Sequence, residues 1–197
     1  MILPRVKIQF LNGQLGTVGE SADGLLAIIC GAAAVTGTFL LNTPYSVTSM
    51  DDLAGLGVTQ ENNPALYKQV SEFYDEAEVG TKLILYPVSP STSMTTICDY
   101  TKVDAGYARD LITKQNGNLR GIAIVNVNTS ASTQSINGLD PDVFTALPKA
   151  QQLAEWATTE LYAPLFFILE GRNYDPAKEL KDLTKEKYDR VGIAIGD

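Results

Sequence analysis

The sequence predicts an α/β domain, a mostly parallel or mixed sheet with helices on both faces, preceded by an extended N-terminal arm. From Leu25 onward, short apolar runs alternate with amphipathic stretches of helical period. The connections between those runs are long enough to hold helices, as parallel neighbours require. Residues 1–23 break the pattern, with Gly13, Gly16 and Gly19 and few apolar anchors. The chain therefore divides into an arm, 1–23, and a domain, 24–197.

In the arm, Val6, Ile8 and Phe10 alternate with Lys7 and Gln9, the period of a half-buried strand, and Asn12-Gly13 follows as a tight-turn signal. Six strands are expected in the domain, at Leu25–Cys30, Tyr45–Thr48, Lys82–Val88, Gly121–Val127, Pro164–Glu170 and Arg190–Ile195. Ser49 before Met50-Asp51-Asp52-Leu53 reads as an N-cap with acids in the first turn, and Gly55 and Gly57 mark the exit. Asn63-Pro64 opens the next helix with proline at its first position. Leu66, Val70, Phe73, Tyr74 and Ala77 then share one face. Further helices are expected at Asp104–Lys114, Asp142–Leu161 and Pro176–Lys187, with a kink or a start near Leu147 because Pro148 disrupts a helix interior.

Composition narrows the function. The 197 residues hold 15 Lys+Arg and 23 Asp+Glu, a net charge of −8, and no histidine. The missing imidazole excludes Ser-His-Asp and Cys-His nucleophile systems, His-ligated metals and a histidine pH switch. A sequence pI near 4.6 argues against nucleic acid or an anionic membrane as a partner, because phosphate contacts need clustered Lys and Arg. Cys30 ends an apolar run and reads as a buried small hydrophobe. With Cys98 it makes neither a metal-ligand spacing nor a disulfide framework. The start shows no secretory core and no apolar run reaches the length of a membrane span, so synthesis as a soluble cytoplasmic protein is expected.

Candidate chemistry is sparse. Ligands of open parallel sheets sit beyond the carboxyl ends of the strands. There the chain carries polar loops at 89–93 and 126–133 and a short connection at 170–173. An anion or sugar pocket lined by Ser91, Thr92, Asn128, Thr129 and Arg172, with Asp140, is the ligand-binding or hydrolytic alternative. Turn chemistry accounts for these residues more simply, since no positioned base accompanies the hydroxyls. The glycines at 13–19 and 31–37 match neither G-x-G-x-x-G nor a P-loop, so no nucleotide cofactor is expected. Residues 49–80 hold seven acids against Lys68, a local charge of −6, which reads as a solvated or partner-facing surface. No catalytic residue, cofactor or metal ligand is assigned.

The order of segments is more specific than any motif. The strand Leu25–Gly31 leads to Thr43-Pro44-Tyr45-Ser46-Val47-Thr48-Ser49-Met50-Asp51-Asp52-Leu53-Ala54-Gly55-Leu56-Gly57. Asn63-Pro64-Ala65-Leu66-Tyr67-Lys68-Gln69-Val70-Ser71-Glu72-Phe73-Tyr74 follows, and then Lys82-Leu83-Ile84-Leu85-Tyr86-Pro87-Val88. This resembles the core of contractile-tail sheath proteins of phages and prophages, with the nearest likeness to a divergent prophage sheath-like family of gut anaerobes. In that family a Val-Thr-Ser element with a short acidic helix and glycine precedes a helix ending in Phe-Phe or Phe-Tyr and a strand of Leu-Tyr-Val-Val type. The likeness covers roughly residues 20–90. It implies a non-enzymatic structural subunit that self-assembles around a tail tube protein, found in the virion tail or a tail-like particle once assembled. It also implies a terminal arm adding strands to neighbouring copies, for which Val6, Ile8 and Phe10 are the segment; an edge strand or hairpin packed on its own domain satisfies the same backbone groups and stays open as the alternative. Sheath proteins continue beyond a strand such as Val191–Ile195, so a longer parent protein is expected.

Overall fold

The computed structural model describes residues 24–77, 80–128 and 135–196. The arm residues Val6, Ile8 and Phe10, and Thr129, lie outside them. Among the described residues, six strands form one mixed sheet in the order β2-β3-β1-β4-β5-β6. Their ranges are β1 Leu25–Gly31, β2 Tyr45–Val47, β3 Leu83–Val88, β4 Leu119–Val125, β5 Phe166–Glu170 and β6 Val191–Ala194. β2 runs antiparallel to β3 and every other pairing is parallel. The α-helices among the described residues are α1 Met50–Gly55, α2 Pro64–Glu76, α3 Met94–Ile97, α4 Ala108–Lys114 and α5 Pro141–Leu161.

The strands form where apolar, β-rich runs can be buried on both faces. β3, LILYPV, is buried at every residue. Alternate side chains then divide the core. Ala27 and Ile29 of β1, Tyr86 of β3, Ile122 of β4 and Phe167 of β5 pack beneath α3, α4 and α5. Ile28, Cys30, Leu83 and Leu85 pack with Leu53 of α1 and with Leu66 and Val70 of α2. The helices begin as their caps direct. Ser49 accepts from the Asp52 amide while Asp52 accepts back from Thr48, and Asp140 caps α5 with Pro141 in its first turn.

Several elements differ from the expected ones, β5 among them, which begins at Phe166 and not at Pro164. β4 spans Leu119–Val125, two residues earlier than expected, because Asn126 turns at φ 51° and its amide is taken by Glu170. α4 begins at Ala108, since Gly106 at φ 101° and extended Tyr107 cannot be helical. α5 runs through Pro148, held on both sides of it by the buried Ala146, Leu147 and Ala150. Pro176–Lys187 is not an α-helix and contains just the 3-10 turn Leu183–Lys185. There Asp175 and Asp182 take the amides of Ala177 and Thr184, local bonds that compete with helix formation. The short helix α3, capped by Ser93, lies in a stretch not expected to be helical.

Candidate functional site

Without the antiparallel β2, the sheet reads β3-β1-β4-β5-β6, a doubly wound order whose reversal point lies between β1 and β4. Ligand crevices of such sheets open at that point, beyond the carboxyl ends of the strands. Here the position is filled. A Cβ placed on Gly31 would stand 2.1 Å from the Asn126 carbonyl oxygen and 3.0 Å from the Pro90 Cα. The Asn126 side chain donates to the Gly31 carbonyl at 3.0 Å, and its backbone amide donates to Glu170 Oε2 at 2.5 Å. Gly31, Asn126 and Glu170 thus bolt the ends of β1, β4 and β5 together. On the other side of β1, the buried Asn63 accepts from the Ala33 amide at 2.7 Å and donates to the Ala33 carbonyl at 3.1 Å, which fixes the start of α2.

The candidate pocket residues are divided among separate tasks. Asp142, in the first turn of α5, accepts from the amides of Met94 and Thr95 at 2.7 and 3.1 Å and from Asn128 Nδ2 at 3.1 Å. Buried Asp140 accepts from the Asp142 amide and from Asn173 and lies 3.9 Å from Arg172, which itself donates to the Val127 carbonyl. Asn128 and Arg172 are therefore members of one clasp joining the ends of β4 and β5 to α3 and α5. Ser91 and Thr92 belong to a different feature, the turn after β3, where the Ser91 and Ser89 hydroxyls bond each other and the Thr92 amide donates to the Ser89 carbonyl. Among the described residues, every buried side-chain nitrogen and oxygen has a partner. What the arrangement does chemically is hold loops in register.

Both thiols are buried. Burial, followed by the negative charge of Glu170 and opposed by a hydrogen bond to Asn126, pushes Cys30 up to about 12. Burial and then Asp142 push Cys98 upward as well. Neither is a thiolate near neutral pH. Among the described residues, no group of three His, Cys, Asp or Glu could hold a metal ion, and no helix is long and apolar enough to cross a membrane.

The more telling surface is one that sequence reasoning missed. Phe166 and Ile168 of β5 point to the α2 side of the sheet, where they are 43% and 38% exposed. Gly121, Ala123 and Val125 of β4 and Gly192 and Ala194 of β6 share that face. Between it and α2 runs a groove of about 350 Å³ bordered by Lys68, Glu72, Val125, Ile168, Glu170 and Ala194. The run Pro164–Glu170 is apolar almost throughout and reads as buried on both faces. Its exposure follows from topology, which that run does not record.

Among the described residues, no strand pairs with the outer edge of β6 beside this face. The carbonyls of Arg190 and Ala194 accept from the amides of Phe167 and Gly171. Strand alternation then turns the polar backbone groups of Val191 and Ile193 away from β5, toward the edge of the sheet.

No curated protein matches the chain. Residues 3–193 match the family described as DUF2586, N-terminal domain, a span that takes in all five helices and all six strands but for the last residue of β6. The chain belongs to the DUF2586 family, as its N-terminal domain.

Proposed function

We propose that the chain is a structural subunit of a contractile-tail sheath, assembling with copies of itself around a tail tube and acting through contacts, not catalysis. The observation that carries the reading is a pair of adjoining surfaces on β5 and β6, an apolar face exposed at Phe166 and Ile168 beside a strand edge with no partner among the described residues. Such surfaces mark association sites, since an unpaired edge templates another strand and a contiguous apolar face seeks cover. A second support is local. The segments that carry the sheath resemblance occupy β1, β2, α1, α2 and β3, which pack as one continuous layer.

In this reading the partners are other copies and a tube protein, and the arm residues Val6, Ile8 and Phe10 supply strand addition to a neighbour. The subunit is cytoplasmic when made and resides in a tail or tail-like particle once assembled. No observation favours the ligand-binding alternative. Electron microscopy of the full-length protein, alone and mixed with its tube protein, is the test. Rings or cylinders are the expected result, and dispersed monomers at high concentration with the arm intact would overturn the reading.

A further inference from the structure

The exposed face of β5 and β6 lies close to where the N-terminal residues join the domain. Leu26 pairs with Gly121, and Gly121 pairs with Phe166. Leu26, two residues beyond Gly24, therefore lies two strands from Phe166, about 10 Å away. Leu26 and Phe166 meet over Gly121, since a Cβ there would strike both the Phe166 ring and Leu26 Cδ2. Residues 11–23 can span up to about 45 Å, and the strip from Phe166 to Glu170 is about 17 Å long. Reach is not limiting.

Charge and pattern match as well. Residues 1–10 carry Arg5 and Lys7 and no acid, whereas the rest of the chain carries a net −10. Val6, Ile8 and Phe10 fall on one side of an extended segment, with Arg5, Lys7 and Gln9 on the other. The groove offers apolar Val125, Ile168 and Ala194 as a floor, with Glu170 and the Lys68–Glu72 pair, 3.6 Å apart, at its border, which is acidic by one charge.

We propose that in the free subunit residues 5–10 fold back onto this strip of the same molecule, with Val6, Ile8 and Phe10 against β5 and β6 and the basic side chains toward the acidic border. The occupant is the molecule's own arm because its covalent connection to the domain gives an effective concentration of about millimolar, far above that of a second copy in dilute solution. The arm then shields the apolar face of the free subunit. This goes beyond the assembly reading and does not depend on it.

The test places p-benzoylphenylalanine at position 10 of the full chain, mixes equal amounts of 15N-labelled and unlabelled protein at low micromolar concentration, and maps the photo-cross-links by mass spectrometry. Cross-links to the peptides containing Lys68–Glu72, Ile168 or Ala194, joining peptides of one isotope, are expected. Mixed-isotope cross-links would assign the groove to a second copy and overturn the proposal, as would cross-links elsewhere or none. Ile168→Asp should lower the groove cross-link by about fivefold or more, which corresponds to 1 kcal/mol or so. Glu72→Lys, on an exposed helix position, should lower it in the same direction and guards against a folding defect in the first variant. An unchanged yield in folded protein from both would overturn the proposal. Microscopy of assembly is a separate readout, so failure of the sheath reading and failure of arm docking are distinguishable.

Discussion

The two faces of the sheet are unequal, and β5 shows it within five residues. Phe167 and Leu169 are completely buried under the α3–α5 layer, while Phe166 and Ile168, of the same chemical kind, stand over a third exposed on the α2 side. The difference comes from the direction of the crossovers. A parallel crossover is right-handed, so the face it covers depends on which way along the sheet the chain moves. From β1 to β3 the chain moves one way and lays α2 on one face. From β3 to β4, β4 to β5 and β5 to β6 it moves the other way, so α3, α4, α5 and the stretch holding Leu183 and Tyr188 all fall on the opposite face. β5 and β6 are left uncovered on the α2 side by topology, whatever their composition, while Ala123 and Val125 of β4 still pack against the α1–α2 core.

The largest test of this asymmetry uses two glycines. Gly31 points to the packed side, where a Cβ would collide with backbone atoms of Asn126 and Pro90 that no side-chain rotation can relieve. Gly31→Ala should cost more than about 3 kcal/mol, beyond ordinary overpacking, or prevent folding. Gly192 lies on the bare side, where the nearest atom to a new Cβ is the Phe167 carbonyl oxygen at 4.0 Å. Gly192→Ala should be neutral or stabilise by up to about 1 kcal/mol. Urea denaturation of the two variants measures both, and equal losses would break the comparison. Next in size is the aromatic pair of β5. Phe167→Ala should lose about 3–5 kcal/mol as a core cavity, and Phe166→Ala no more than about 1 kcal/mol.

The contrast also bears on what was legible in the sequence. β1, β3 and β5 were readable because each is an unbroken apolar run bounded by turn residues, the pattern of a strand inside a parallel sheet. α2 was readable because Asn63-Pro64 and a helical stripe agree. The Ser91, Thr92, Asn128 and Arg172 pocket was plausible from loop positions, but its polar groups serve two local structures: Asn128 and Arg172 sit in the clasp around Asp140 and Asp142, and Ser91 and Thr92 in a turn. Asn126 gave no signal of its own, since its role depends on φ 51° and on partners at Gly31 and Glu170 far along the chain. The helix expected at Pro176–Lys187 failed because charged residues with few buried anchors settled into side-chain-capped turns.

A smaller effect probes the packed face through a hydroxyl. Tyr86 of β3 donates to Asp110 Oδ2 of α4 at 2.6 Å and accepts from the Gly106 amide at 2.7 Å. Tyr86→Phe keeps the ring but strands that amide, so a loss of about 1–2 kcal/mol is expected. Burial, and then the bond to Asp110, raise the Tyr86 phenol above its usual value. Its contribution is therefore full below about pH 10 and is lost as pH rises through the folded value. The wild-type protein should weaken at alkaline pH more steeply than Tyr86→Phe. Parallel pH profiles for the two would remove this link between β3 and α4.

The smallest effect lies at the start of α1, on the side that leaves half the sheet bare. Hydrogen bonds from the Thr48 hydroxyl and amide hold the Asp52 carboxyl below the usual carboxylate range. A depressed folded value places its contribution above about pH 3.9 and removes it as pH falls through the lower folded value, the opposite limb from Tyr86. Because Asp52 is fully exposed, its effect should be local, seen as faster amide exchange in α1 on acidification with β1 and β3 still protected. Asp52→Asn keeps an acceptor but cannot titrate, so it should flatten that acid dependence in α1 alone. If acid instead releases α1 and α5 together in the wild-type protein, the two layers open as one unit, and their unequal cover of the sheet carries no difference in local stability.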